Sequence, residues 1–214
     1  MHYASTLTLA LTLFSSISGV TVDGDFESFK NILEARNPTG RHKDFLSYIT
    51  LNAYHKDTQG NPWTYEGRFG VAKSGHEVNS ETVNASSGEV FAILQRESLI
   101  KQNVTGLIQG KQYTVSLSRR DKKNGFGGNN IRVSLGGKEV YSEDGITYKR
   151  EGYSDGEWVK KTSSAFTAVS DVAELKIWST SKGSAIAVFI DNVSVQEAVS
   201  IQGINRISNS RPRI

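Results

Sequence analysis

Apolar and polar residues alternate along much of this chain, and the alternation predicts short β-strands separated by turns. Helical periodicity is weak and confined to Phe26–Ala35. The turns are rich in Gly, Asn, Asp and Ser, which is typical of an antiparallel sandwich. We therefore predict an all-β, antiparallel jelly-roll β-sandwich. The predicted strands lie within Phe45–Ala53, Val90–Leu94, Tyr113–Leu117, Ile131–Leu135, Glu139–Tyr141, Ala165–Ala168, Ala173–Trp178 and Ala185–Ile190.

The first and last apolar patterns of the domain resemble each other. Asp23–Glu27 and Val188–Val195 each place a carboxylate beside apolar residues. If both segments belong to one sheet, the sandwich begins and ends in the same place. We therefore expect the two ends of the domain to be hydrogen-bonded neighbours, with Phe26 and Phe189 in a single body.

The two termini differ in composition from the rest of the chain. Residues 1–19 contain no Lys, Arg, Asp or Glu, and the short apolar run Leu7–Ile17 ends among small residues. This pattern is typical of a secretory signal peptide, and the run is too short to cross a bilayer as a helix. The alternative is a first β-strand at Thr6–Leu13. Residues 199–214 are basic and lack apolar periodicity, so we predict a flexible tail after a β-sandwich domain of residues 20–198.

Charge and cysteine content narrow the classes of function. The 25 Lys and Arg residues and the 22 Asp and Glu residues are interspersed and leave a net charge of +3. Nucleic-acid binding requires basic residues gathered on one face, so we predict no nucleic-acid partner. The chain has no Cys, so its core must hold the fold without disulfides. The histidines lack the spacing of a metal or triad motif, and no pair of acids stands out for glycoside hydrolysis, so we predict no enzyme.

Three short segments carry a resemblance to a known family. Ile100–Val104, Gly106-Leu107 and Gly110–Val115 together resemble a stretch of the galactose-binding-like β-sandwiches, which include the carbohydrate-binding modules of families four, nine and twenty-two. This sequence departs from the family pattern in opening with Asp instead of Asn and in the length between Glu27 and Trp63. Further matching pieces follow in family order, so that the resemblance covers about residues 23–197: Gly24–Glu27, Ser87-Gly88, Trp158 followed by Phe166, and Ile190–Val193.

The resemblance implies a structural Ca²⁺ where the first and last strands meet. By matching motif, Glu27 and Asp191 are its carboxylate ligands, and Asp25 is an additional candidate. Calcium takes six to eight oxygen ligands, which carboxylates and free carbonyls at strand ends supply. The alternative is that Asp191 caps a turn and Glu27 is solvated.

Sugar binding requires aromatic faces surrounded by a few hydrogen-bonding groups. In the pattern around Trp178, Leu175 and Ile177 point to one side, so Lys176 and Trp178 point to the other. The family position of Trp158 is a core position. We expect the Trp178 side to be a saccharide platform, and a second small core under a loop is the alternative. The predicted ligand-binding residues are Trp178, Lys176, Arg132 and Arg120 on strands, Tyr148 and Tyr153 on the loop rim, and Trp63, which either packs or binds.

These observations favour a secreted, non-catalytic protein that binds carbohydrate by aromatic stacking and hydrogen bonds. One alternative is an extracellular structural or adhesion protein with the same sandwich and a protein partner. The other is a hydrolase or lyase acting on polysaccharide. Exposed aromatic side chains gathered on one face would distinguish the carbohydrate-binding protein from the adhesion protein. A deep cleft with two facing carboxylates would identify the enzyme.

Overall fold

The computed structural model describes residues 20–35, 48–51, 61–78, 81–121, 130–144, 156–181 and 187–198. Regular structure there is almost entirely β-strand, apart from a 3-10 turn at Glu27–Phe29 that continues into helix α1 at Lys30–Ala35. The prediction of an all-β fold is confirmed. The strands are β1 (Tyr48–Leu51), β2 (Thr64–Lys73), β3 (His76–Val78), β4 (Glu81–Val83), β5 (Val90–Thr105), β6 (Gln112–Asp121), β7 (Ile131–Leu135), β8 (Lys138–Glu143), β9 (Val159–Thr162), β10 (Phe166–Thr167), β11 (Val172–Thr180) and β12 (Ala187–Glu197).

Strand β5, which is 16 residues long, belongs to both layers of the sandwich. Its residues 92–95 pair with β12, and its residues 97–105 pair with β11. Arg96 separates the two halves and has a positive φ of 55°. On the other side of β5, strand β2 pairs with both halves, and its register shifts between Gly67 and Arg68. A β-bulge of this kind bends a strand, so both strands turn from one layer into the other at this point.

The first layer contains β1, β2, β5, β12 and β6, with β9 and β10 following one another along the free edge of β6. The second layer contains β2, β5, β11, β7 and β8. Neighbouring strands are antiparallel in both layers. The architecture is the predicted antiparallel jelly-roll sandwich.

The main hydrophobic core lies between the two layers. Val188 and Ile190 of β12 face into it from the first layer, and Leu175 and Ile177 of β11 face into it from the second. All four side chains are fully buried. Removing such a side chain from water stabilises the fold by roughly 1.5–3 kcal/mol each, which is how this cysteine-free domain holds its layers together.

The outer face of the first layer is also covered. Phe91 and Phe189 point away from the main core and pack with Val78 and Val83 of the β3–β4 hairpin. Trp158 completes this outer cluster by lying edge-on to Phe91, with ring centroids 5.9 Å apart. The first layer is therefore buried on both faces.

The two ends of the described domain meet, as the sequence predicts. The backbone N–H of Val193 on β12 donates to the carbonyl of Gly24 at 2.8 Å, and Thr21 forms an isolated bridge with Thr105 of β5. Phe26 lies in the main core between the layers, and Phe189 of β12 lies in the cluster on the outer face of the first layer. The first and last segments thus close one sandwich.

Several strands are longer than predicted or were not predicted. The pattern at Val90–Leu94 marks only the first part of β5. The second half alternates in burial, but two of its inward positions are the polar residues Ser98 and Gln102, which hide the pattern in the sequence. Strands β2, β3, β4 and β9 were missed, because the first half of β2 is mostly exposed and the other three have only three or four residues each. Short, exposed segments bury too little apolar surface to leave a clear periodic pattern.

Some predictions concern parts of the chain outside the described residues. These are the signal peptide at residues 1–19, its alternative strand Thr6–Leu13, and the flexible tail at residues 199–214. Among the described residues, no helix is long and apolar enough to cross a membrane.

We predict that Gly24→Ala disrupts the closure of the sandwich. A Cβ at this position would lie 1.6 Å from the carbonyl oxygen of Val193, so the two ends of the domain would have to separate. Overpacking of this kind should lower the free energy of unfolding by about 3 kcal/mol or more, measured by urea denaturation.

Gly137→Ala is the matched control for this substitution. Gly137 has a φ of 78° but nothing within 4 Å of an added Cβ, so only backbone strain of about 1 kcal/mol is expected. Equal stability of the two variants would contradict the close contact between the chain ends.

Candidate functional site

The outer face of the second layer carries a partly exposed tryptophan. Because Leu175 and Ile177 of β11 point into the core, Lys176 and Trp178 point outward. On the neighbouring strands, Arg132 of β7 and Leu99 of β5 lie directly opposite Trp178. Directly opposite residues share a face, so these side chains form one surface. We call the surface made by Trp178, Lys176, Arg132, Leu99 and Lys101 the Trp178 face.

Two lysines lie beside the indole of this face. The Nζ of Lys176 is 4.9 Å from the centroid of the Trp178 ring, within the range of a cation–π contact. Lys101 of β5 is the register partner of Lys176. Both lysines and Trp178 are half-exposed. The indole is therefore partly open to a ligand, and the ammonium of Lys176 lies over its ring.

Two of the cationic groups of this surface, Lys101 and Arg132, are paired with acids. Lys101 contacts Glu174 at 3.6 Å, and Arg132 contacts Asp144 at 2.6 Å. The side chain of Glu174 is about half-exposed and that of Asp144 is mostly exposed, so each ion pair contributes little to stability. Such pairs are easily exchanged for contacts with a polar ligand.

The structure brings together three of the predicted ligand-binding residues: Trp178, Lys176 and Arg132. It separates Arg120 from them. Strand β6, which carries Arg120, pairs with β12, β9 and β10, and not with the strands of the second layer. The guanidinium of Arg120 lies 3.5 Å from Glu81 of the hairpin that covers the first layer. Arg120 thus belongs to a covered surface on the other side of the molecule.

The sequence left open whether Trp63 packs in the core or binds a ligand, and the structure shows that it packs in the core. Its side chain is 0% exposed, stacks on Phe26 with ring centroids 5.2 Å apart, and donates its indole N–H to the carbonyl of Asp23 at 2.7 Å. A ring so enclosed has no free face for a sugar. Tyr148 and Tyr153, the predicted rim residues, lie outside the described residues.

The predicted metal ligand Asp191 is fully buried and serves as a hydrogen-bond acceptor. Its Oδ2 accepts the backbone N–H groups of Ser86 at 2.6 Å and Ser87 at 2.7 Å, and its Oδ1 accepts that of Asn192 at 2.7 Å. Burial raises the pKa of Asp191 to about 6, although these three hydrogen bonds act to lower it. Asp191 thus holds the loop between β4 and β5 against the last strand.

Glu27 holds the next residues of the same loop. Its Oε1 accepts the backbone N–H groups of Glu89 at 2.5 Å and Val90 at 3.1 Å. Gly88 leaves room for this carboxylate, since an added Cβ would lie 2.3 Å from the same oxygen. The two carboxylates therefore fasten one loop from opposite ends of the domain.

This arrangement does not fit the calcium site that the resemblance implies. Backbone N–H donors occupy Oε1 of Glu27 and both oxygens of Asp191, so these oxygens are less available to a cation that takes six to eight oxygen ligands. Asp25 acts on Asp191 only as a minor electrostatic neighbour that raises its pKa. In the described part of the chain, no three His, Cys, Asp or Glu side chains are grouped to hold a metal ion.

A second charged cluster was not predicted from the sequence. Arg119 of β6 is almost fully buried between the layers, and its guanidinium contacts Asp121 at 2.8 Å and Glu143 of β8 at 2.6 Å. Lys161 of β9 contacts Glu143 at 3.1 Å. The alternation of Tyr113, Val115 and Leu117 continues to Arg119, so the sequence pattern already indicates that the Arg119 side chain points inward. The cluster links the edges of the two layers.

Comparison with known proteins supports the fold. No protein-family model matches this chain, and neither does any curated protein sequence. The Stig cyclase Fisc from Fischerella sp. TAU, solved in complex with an indole compound, has a TM-score of 0.54 and 13% identity over 84% of this chain and 97% of its own. At this identity the similarity shows a shared fold and nothing about activity.

Two carbohydrate-binding structures are more distant. The CBM22-1–GH10 modules of Clostridium thermocellum xylanase 10B, complexed with xylohexaose, have a TM-score of 0.43 and 15% identity over 64% of this chain and 26% of theirs. TmCBM61, in complex with β-1,4-galactotriose, has a TM-score of 0.43 and 16% identity over 76% of this chain and 97% of its own. Similarity at this level carries no further argument.

We predict that Asp191 makes the protein more stable in mild acid. Its folded-state pKa of about 6 lies above the unfolded value of about 3.9, so the folded state binds the proton more tightly. The free energy of unfolding should therefore rise, by on the order of 1 kcal/mol from this group, as the pH falls from about 7 to about 5. Asp23, whose pKa is also raised, chiefly by burial, acts in the same direction.

Urea denaturation of the wild type and of Asp191→Asn at both pH values measures this contribution. The substitution should remove most of the rise while lowering stability at both pH values, because the amide cannot accept all three N–H groups. An equal pH-dependent rise in both proteins would show that Asp191 does not titrate as described.

Proposed function

We propose that this protein is a secreted, non-catalytic carbohydrate-binding protein with a galactose-binding-like sandwich, and that its binding site is the Trp178 face. One observation carries the proposal. Trp178 is half-exposed on an outward sheet face, whereas Trp63 is enclosed in the core and Trp158 packs against Phe91. Trp158 is also partly exposed, but its ring packs edge-on to Phe91 and its indole N–H donates to the carbonyl of Asn84, so Trp178 is the tryptophan with charged neighbours on an open sheet face.

The binding mechanism is stacking combined with hydrogen bonds. The indole of Trp178 offers an apolar ring surface that matches the C–H face of a pyranose. Arg132 lies opposite Trp178 on the neighbouring strand, and the ammonium of Lys176 lies over the ring. Both groups can donate hydrogen bonds to the hydroxyl groups of a stacked sugar. A single open face of this kind binds weakly, so avidity through several copies or several sugar repeats strengthens attachment.

The two alternative functions have less support. An adhesion protein would use the same open face for a protein partner, but the side chains around Trp178 are mostly charged, and protein interfaces are depleted in charge at their centre. The similarity to cyclases concerns the fold alone, and we assign no catalytic residue. The proposal also gives calcium no role in binding.

We predict that Trp178→Ala strongly weakens saccharide binding without unfolding the protein. Loss of the stacking surface should weaken binding by about tenfold or more, or about 1.4 kcal/mol, as measured by retention in affinity gels that contain pectin, xylan or galactan. The thermal unfolding midpoint should stay close to that of the wild type, because Trp178 lies outside the core.

Two variants serve as controls. Trp178→Phe keeps a smaller ring and should retain part of the binding. Ile108→Ala removes an exposed apolar side chain in the turn after β5, away from the Trp178 face, and should bind like the wild type. If Trp178→Ala were retained as strongly as Ile108→Ala, the site would have to lie elsewhere.

A further inference from the structure

The charges around Trp178 are unevenly balanced. Lys101 and Arg132 each have an acidic partner, Glu174 and Asp144 respectively. Lys176 has no carboxylate partner among the described residues, and its ammonium rests over the indole instead. The cation nearest to the stacking surface is therefore the one without a counter-ion.

The position of Lys176 across from Lys101 increases this imbalance. The two residues are register partners on β11 and β5, and like charges directly opposite each other destabilise a sheet. Glu174 relieves only Lys101, from 3.6 Å. Two opposed lysines beside an exposed indole are a feature that an anionic ligand would stabilise.

Three further acids share this surface, and none of them forms an ion pair with Lys176 in the described part of the chain. Glu66 of β2 is opposite Leu99, Glu97 of β5 is opposite Thr180, and Glu139 of β8 is opposite Ser134 of β7. The three strands around the indole present Arg132, Lys176 and Lys101 toward a ligand. A negatively charged group on a stacked sugar would lie next to Lys176.

We propose that the Trp178 face binds an acidic saccharide, whose ring stacks on Trp178 while its carboxylate or sulfate group pairs with Lys176. This inference rests on the proposed carbohydrate-binding function and names the class of sugar. Lys101 and Arg132 contribute by exchanging their exposed acidic partners for the ligand. Neutral sugars bind to the same indole without the ionic contribution.

Matched ligands that differ only in charge test this proposal. Oligogalacturonate and its methyl ester share one backbone, as do dextran sulfate and dextran. In calorimetric titrations of the full chain, at least one acidic form should bind about tenfold more tightly than its neutral counterpart, and added NaCl should weaken the acidic form alone.

Substitutions then locate the preference at Lys176. Lys176→Gln should remove most of the preference for the acidic form. It should weaken the neutral form much less than the acidic form, because the Gln amide still donates a hydrogen bond to a sugar hydroxyl group. Lys176→Arg should keep the preference. Lys160→Gln is the control, since it removes an equal charge from an exposed residue on β9 in the other layer. Thermal unfolding midpoints of the three variants verify that each one folds.

The possible results separate the two proposals. If neither acidic nor neutral saccharides bind, the proposed carbohydrate-binding function fails. If acidic and neutral forms bind equally, or if Lys176→Gln keeps the preference, the function stands and this inference is overturned. Single-stranded DNA that binds as tightly as the acidic saccharide would also overturn it, because the face would then recognise charge without sugar.

Discussion

The bend in strand β5 at Arg96 is the constraint on which the rest of this structure depends. It allows one 16-residue strand to pair with β12 in the first layer and with β11 in the second. A non-glycine residue with a φ of 55° is uncommon. Arg96 and Glu97 are the extra residues of the bulge, because Gly67 and the next residue of β2, Arg68, pair with Ser98 and Gln95. Without this turn the two halves of β5 would continue in one sheet, and Val188 and Ile177 would have no opposite layer to pack against.

Because of the same bend, the sandwich has two outer faces that differ in their exposure to solvent. The face of the first layer is covered by the β3–β4 hairpin and Trp158, while the face of the second layer leaves Trp178 accessible. The carboxylates of Asp191 and Glu27 hold the loop that leads from β4 into β5. These two carboxylates, of which Asp191 is fully buried and Glu27 partly buried, therefore stabilise the loop beside the covered face, while the open face of the second layer carries the aromatic group available for binding.

The sequence predicted much of this arrangement through local alternation. Strand parity alone places Lys176 and Trp178 on the side opposite to Ile177, and the structure agrees. The order of strands in a sheet is not a local property of the sequence, so the prediction that Arg120 lies beside Trp178 was wrong. Strand β6, which carries Arg120, pairs with β12, whereas β7, which carries Arg132, pairs with β11. The role of Asp191 was also beyond local reasoning, because two of its three partners are backbone N–H groups more than a hundred residues away.

The most direct measurement of the central claim is an NMR titration that follows the indole N–H signals. The chain has three tryptophans, and the indoles of Trp63 and Trp158 donate to the carbonyls of Asp23 and Asn84 within the fold. On addition of oligogalacturonate, the signal of Trp178 should shift while the other two stay in place. A shift confined to Trp63 or Trp158, with Trp178 unchanged under saturating ligand, would contradict the assignment of the open face as the binding site.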